Sequence, residues 1–172
     1  LRRWDGEWIA HNAKFDVGML DHMGVHVNRS RVVDTRIMAH CLAPHMSTAL
    51  KNVANRTIDA HSSSAQEELN RSLTSGSGGW TWATVPLDYT DYWSYAALDP
   101  VLTYQVYEVL WPKVQVDCPD AFALENEVSW VIERMERYGA HVDVPFATEK
   151  LKAFEEYVET AGAWVKSTYG VS

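Results

Sequence analysis

Two pairs of residues in this chain are spaced to put an acid and a hydrogen-bonding partner on one helical turn. In His11-Asn12-Ala13-Lys14-Phe15-Asp16, Asn12 and Asp16 stand four apart and share a helix face if a helix starts there. An acid in that first turn meets the positive end of the helix dipole, which favours its charged form. In Tyr95-Ala96-Ala97-Leu98-Asp99 a phenol and a carboxylate stack in the same way. A carboxylate binds a hard divalent cation through oxygen, and a phenol can orient the water that such a cation activates. Spacing alone favours plainer roles, with Asn12 a helix cap, Asp16 a solvated acid, Tyr95 a half-buried phenol and Asp99 an exposed acid. Two such pairs in one chain shift that balance toward a shared site.

The elements that must position these pairs follow from the apolar pattern. The run 7–10 ends at His11-Asn12, which predicts a short buried strand and then a helix capped by Asn12. That helix carries Phe15, Met19 and Leu20 at helical spacing and ends near Gly24. Val32-Val33 before Asp34-Thr35 predicts a second strand capped into a helix with Ile37, Met38 and Leu42 on one side, stopped at Pro44. Ser47-Thr48 opens a third helix with Leu50 and Val53 inward. This strand–helix–strand–helix rhythm points to an α/β layer.

Residues 61–79 shift to Ser, Gly, Thr, Gln and Glu, which predicts a solvated excursion with at most a short helix, closed by Trp80 and Trp82. A helix is expected over 91–110, ended at Pro112. A separate one is expected over 121–138, with Leu124, Val128, Val131, Ile132 and Met135 on one face and Gly139 at its end. Val144-Pro145 opens a last helix whose inward stripe is Leu151, Phe154, Val158 and Val165. The domain boundary is expected between Trp111 and Asp120, giving domains 1–112 and 120–172.

With 172 residues, 47% of them hydrophobic, the chain reads as globular rather than disordered or fibrous. A net charge of −8 argues against a generic grip on phosphates. Carboxylates can still reach nucleic acid through bound cations. Cys41 and Cys118 lack CxxC spacing, so neither a disulfide framework nor a thiolate metal site is expected, and a reducing, cytoplasmic setting fits. No window approaches the roughly 18 apolar residues of a membrane span, so no membrane partner is expected. The opening Leu1-Arg2-Arg3 reads as the interior of a longer gene. His40, Cys41 and His45 lack a fourth zinc ligand. Trp111 and Trp130 read as core packing, while Trp80 and Trp82 suit either packing or base stacking. Lys51 and Arg56 read as solvated surface charges rather than phosphate contacts.

HNAKFD at 11–16, DTRIMAHCLAP at 34–44, TALKNVANR at 48–56 and YAALD at 95–99 together resemble the second and third exonuclease motifs of family A, DNA polymerase I-type enzymes. LENEVSWVIERMERYGAHVD at 124–143 resembles the stretch that leads from that exonuclease domain into the polymerase domain. Four landmarks in order at compatible distances are specific, and they cover nearly all of the chain outside the Ser/Gly excursion. The resemblance implies an α/β, ribonuclease H-like (DnaQ-like) exonuclease fold with a mixed sheet, N-terminally truncated here and followed by polymerase-domain helices. It implies that Asp16 and Asp99 are metal-binding carboxylates, with two Mg2+ (or Mn2+) ions in a complete site. It implies that Tyr95 positions the attacking water and that Asn12 and Phe15 lie beside the terminal nucleotides of a single-stranded 3′ end of DNA. Ser94 stands where the histidine-using branch would carry its histidine, which supports the tyrosine-using branch. The implied reaction is two-metal hydrolysis of the 3′-terminal nucleotide, proofreading in DNA replication or repair, with the remainder of the polymerase chain as partner.

The family's first motif, a DxE on an early strand, is expected to precede residue 1, because Asp5-Gly6-Glu7 lies too close to Asn12 to supply it. Asp16 and Asp99 alone fall short of a shell of about six oxygens per ion, so the chain by itself is expected to be inactive or nearly so. The strands that would precede it should leave a sheet edge and an apolar face open, which predicts self-association. Pro100 is expected to kink or restart the helix beside Asp99. Two other functions are weighed. A non-catalytic, exonuclease-like structural domain of a polymerase would not need Asp16, Tyr95 and Asp99. A ribonuclease D-like 3′→5′ exoribonuclease would not run into a segment like 124–143.

Overall fold

Strands β1 (Trp8–Ala10) and β2 (Val32–Asp34) run parallel, with Trp8 opposite Val32 and Ala10 opposite Asp34. The computed structural model describes residues 6–75, 80, 81 and 83–170, so Asp5, residues 76–79 and Trp82 lie outside the described residues. Among the described residues these two strands make up the sheet. The α/β reading holds, while the larger mixed sheet is not part of what is described.

Each strand runs straight into a helix, α1 (Ala13–His22) after β1 and α2 (Thr35–Leu42) after β2. Parallel pairing therefore sets both strand-to-helix turns side by side at the carboxyl end of the sheet, where open α/β sheets place their ligands. Successive residues of β2 point to opposite faces. Val32 packs with Ala13, Val17, Val27 and Trp130, whereas Val33 packs with Met38, Ala39, Val53 and Val106. Both faces are covered, which is why Val32 and Val33 are both apolar rather than one apolar and one polar.

The second of these faces is built by α2, α3 (Leu50–Thr57) and α5 (Thr90–Asp117). Helix α5 runs through both Pro100 and Pro112, so it neither restarts at Pro100 nor ends at Pro112 as the sequence suggested. A proline costs the turn one N–H, but the carbonyl freed by Pro112 belongs to exposed Glu108 and can turn to water. Buried Leu110 and Val114, on either side of Pro112, hold the helix against the core. The Ser-rich excursion also folds further than expected. Residues Ser64–Ser75 form a helix, α4, that packs on α5 and buries Leu69 completely.

The contacts within the chain form two compact units, Leu1–Arg134 and Met135–Ser172. The expected boundary region holds a single non-helical residue, Cys118, between α5 and α6 (Pro119–Tyr138). In the first unit α6 buries Phe122, Trp130 and Glu133, while Leu124, Val128, Val131 and Ile132 of the expected apolar face are exposed; Met135 of the same face, exposed too, belongs to the second unit. The true inner face is disguised by polar residues that find partners. Asn126 Nδ2 donates to the Val32 carbonyl at 3.2 Å, and Glu133 receives Arg29 at 3.3 Å. Trp111 and Trp130 pack as expected, Trp111 edge-on to Phe122 at 5.7 Å between ring centroids. In the second unit α7 (Val144–Tyr169) is capped by Asp143 and buries no residue, so Leu151, Phe154, Val158 and Val165 are exposed instead of inward. No helix among the described residues is long and apolar enough to cross a membrane.

Candidate active site

The two turns that leave β1 and β2 are built around one carboxylate. Asp34, 5% exposed at the end of β2, accepts the backbone N–H groups of Asn12 (2.9 Å), Ala13 (2.8 Å) and Arg36 (2.8 Å). One acid thus satisfies orphan donors at the starts of both α1 and α2. Asn12 was expected to cap α1 with its side chain, and the structure corrects this. Asn12 sits at the cap position in the left-handed region, φ 69°, without a side-chain cap bond. Asparagine tolerates that conformation better than most residues. Its Oδ1 instead accepts from Arg36 Nη1 at 3.0 Å, and Arg36 Nε donates to Thr48 Oγ1 at 3.3 Å.

His11 ties the same turn to the segment before α3. Its Nε2 donates to the Thr48 carbonyl at 2.9 Å, and its Nδ1 lies 2.9 Å from Thr35 Oγ1. Burial lowers the pKa of this ring below 6.5, with Asp34 and Asp99 pulling the other way. The Asp99 carboxylate of α5 is therefore within electrostatic reach of the strand ends.

Phe15 and Asp16 lie on the first turns of α1, with Phe15 63% exposed. Asp16 is also exposed, yet crowding of its carboxyl raises its pKa, and nearby Asp34 adds to that. On α5 the Tyr95 hydroxyl hydrogen-bonds to Asp99, as the four-residue spacing predicts. Burial first, and the Asp99 charge second, push the phenol up to about 12, so it stays protonated and acts as a donor. Lys51 of α3 completes the cluster. It is 8% exposed, its Nζ pairs with Asp99 Oδ1, and it stands 5.1 Å from the centroid of the Tyr95 ring. Lys51 is therefore not the solvated surface charge its sequence position suggested. Arg56 donates from Nη1 to the Ser47 carbonyl at 2.6 Å.

Two clefts meet at Arg36. One of about 510 Å³ is lined by His11, Asn12, Arg36, Ser47 and Thr48. The other, about 370 Å³, is lined by Asn12, Lys14, Asp34, Arg36 and Thr48 with residues of α6. The carboxylate oxygens of Asp16 and Asp99 suit Mg2+ or Mn2+ in type. Among the described residues, however, no group of three or more His, Cys, Asp or Glu side chains is placed to hold a metal, and Asp99 already carries Lys51. The donor type fits and the donor count does not. Glu7 does not make up the number, because it precedes β1 at the end away from His11 and lines a separate 630 Å³ cavity with Arg29, Trp111 and Trp130.

The sequence pointed to Asn12, Phe15, Asp16, Tyr95 and Asp99 but passed over the roles of His11, Asp34, Arg36 and Lys51. Lys51 had a signal, since it stands three residues before buried Ala54 on the inner face of α3. The reach of Asp34 to the Asn12 turn depends on the strand register, which no single segment reveals.

The profile of the 3'-5' exonuclease family, of DNA polymerase A type, matches residues 5–115. A DNA polymerase of Mycobacterium phage L5 is 24% identical over 175 residues, which cover 95% of this chain and 29% of the phage protein. The chain thus spans under a third of the length of that relative. No solved structure matches it. Residues 5–115 hold β1 through most of α5, including the Asp34 junction and the Lys51, Tyr95 and Asp99 cluster, and the chain belongs to the 3'-5' exonuclease family of family A DNA polymerases.

Proposed function

We propose that this chain is the exonuclease-bearing part of a DNA-directed DNA polymerase that removes the 3′-terminal nucleotide from a single-stranded DNA end during replication or repair. The observation that carries the reading is the pairing of two strand-to-helix turns around Asp34 with the Tyr95–Asp99 turn of α5 within electrostatic reach. The fold proposed for the complete domain is ribonuclease H-like, and the setting is a cytoplasm.

In this reading Phe15 offers an exposed ring on which the terminal base stacks. Arg36 donates to the side-chain oxygen Oδ1 of Asn12, which leaves the side-chain amide protons of Asn12 for an acceptor on the nucleotide. Tyr95, protonated and bonded to Asp99, has oxygen lone pairs with which to orient a water rather than remove its proton. Asp16 and Asp99 are the proposed ligands for Mg2+ or Mn2+, which would supply hydroxide and charge stabilisation once further carboxylates complete the shell.

The test is release of nucleoside monophosphate from a 3′-labelled single strand in Mg2+. The chain alone is expected to release next to none, and the chain extended by its upstream reading frame to release it in a manner lost in D16N and D99N. Full activity in the chain alone would contradict the carboxylate count, and an extended chain indifferent to both substitutions would contradict the site. A second reading, a non-catalytic structural domain, is favoured by one observation, that Lys51 occupies Asp99. Silence of the extended chain would support it.

A further inference from the structure

The 510 Å³ cleft beside His11, Asn12, Ser47 and Thr48 is lined by Arg36 and, among the described residues, by no carboxylate. Burial holds the His11 ring below its ordinary pKa, so at neutral pH Arg36 supplies the charge there. In a chain of net charge −8 this is a local reversal of sign. The overall charge repels an anion, so an anion that binds must be drawn by local donors. Arg36 is exposed but tied in place. Its Nη1 donates to Asn12 Oδ1 at 3.0 Å and its Nε to Thr48 Oγ1 at 3.3 Å, which joins the turn before α1 to the segment before α3. Both partners are neutral, and they use two of the five N–H groups of the guanidinium. Asp34 takes the backbone N–H of Arg36 and shares its carboxylate with two other such groups. Thr48 Oγ1, accepting from Arg36, keeps its own hydroxyl proton to donate. Arg56 brings a second positive charge to the same segment, donating to the Ser47 carbonyl at 2.6 Å. A guanidinium held in this way presents its remaining N–H groups as a planar fork, a geometry that suits phosphate oxygens.

We propose that Arg36 is a phosphate-binding residue, which takes a phosphodiester group of the single strand in this cleft while its bond to Asn12 Oδ1 turns the Asn12 amide toward the terminal nucleotide. The inference rests on the reading of the site as one for a single-stranded 3′ end, and it deepens that reading. One side chain then sets both the backbone of the strand and the residue beside its last base. The contact involves no covalent step.

The experiment titrates a fluorescently labelled short oligothymidylate with the chain in EDTA, over a series of salt concentrations, for wild type, R36M, R36K and N12A. R36M is expected to bind about tenfold more weakly. Its log–log dependence on salt should be shallower by about 0.7, the counterion share of one single-strand phosphate. R36K should keep the wild-type slope and lose part of the affinity, because an ammonium supplies the charge without the fork. N12A should bind more weakly with the slope unchanged. Weaker binding of R36M at the wild-type slope would mean that Arg36 acts through Asn12 alone, which would overturn the phosphate contact while leaving the exonuclease reading standing. Absence of oligonucleotide binding by the wild type at every salt concentration would overturn both. If R36M fails to fold, phenylglyoxal modification of the wild-type chain, read from its arginine peptides by mass spectrometry, decides the matter. The oligonucleotide is expected to protect Arg36 and to leave Arg134, which lines the separate cavity, reactive. Inorganic phosphate at matched ionic strength is expected to protect neither. Equal protection of Arg36 by phosphate would put a free anion in place of the strand, and reactivity of Arg36 unchanged by the oligonucleotide would remove the contact; either result overturns the proposal.

Discussion

Asp34 and Asp99 are held by opposite means. Asp34 is gripped by three backbone N–H groups, none of which can leave without unwinding the start of α1 or α2. Asp99 is gripped by two side chains, the Lys51 ammonium and the Tyr95 hydroxyl, and its own side chain is 31% exposed. Main-chain donors fix an acid permanently, whereas side-chain donors can rotate away when a competing ligand arrives. The acid that builds the site and the acid proposed to work in it are thus distinguished by what holds them, not by their distance from the surface alone.

The largest expected effect is at Asp34. Asp34→Ala takes the acceptor from three backbone donors at once, one buried and two part-buried, and should cost about 3 kcal/mol, or the fold, in urea denaturation. A loss below about 1 kcal/mol would remove Asp34 from the centre of the junction. Asp99→Asn leaves Lys51 buried beside a neutral amide. The partial exposure of Asp99 discounts the full cost of breaking a buried pair to about 1–2 kcal/mol. Equal losses at the two acids would erase the contrast between them.

Asn12 sharpens the first half of the comparison, because its left-handed backbone serves the Asp34 grip. Asn12→Ala should cost about 1 kcal/mol, while Asn12→Gly should be close to neutral in stability. The smallest effect is a pH slope. Burial depresses the folded pKa of His11 below 6.5, so the unfolded chain binds the proton more readily than the folded one. Stability from this ring is full above 6.5 and falls as pH drops toward the folded pKa, by at most about 1.4 kcal/mol per pH unit. His11→Gln should flatten that slope. A slope of the opposite sign would mean that Asp34 and Asp99 outweigh burial at the ring.

Those parts of the fold whose signals are local were readable from the sequence. The apolar dipeptide Val32-Val33 before Asp34, the Gly24 stop and the helical spacing of Val53 with Leu50 each depend on a few neighbouring residues, and β1, β2, α1, α2 and α3 follow from them. Where neighbours in space decide, local signals misled. Pro112 reads as a stop, but Leu110 and Val114 are anchored to the core on either side of it. The Ser-rich stretch reads as solvated, but Leu69 inserts fully and orders a helix around itself. The inner face of α6 carries Asn126 and Glu133, whose partners Val32 and Arg29 are about a hundred residues away in sequence. In the candidate site the Tyr95–Asp99 contact was readable from one helical turn. The Asp34 grip on Asn12 and the Lys51 pair across α3 and α5 depend on tertiary placement.

The most direct test of the account is the loss of amide NMR signals in the chain as paramagnetic Mn2+ is added, with broadening followed residue by residue. One cation site formed by Asp16 and Asp99 predicts that the signals of residues 12–16 and 95–99 broaden together at the lowest Mn2+ concentration, and that D99N spares both groups. Broadening at one group alone, or only at scattered surface acids, would contradict the claim that these two turns form a single exonuclease site.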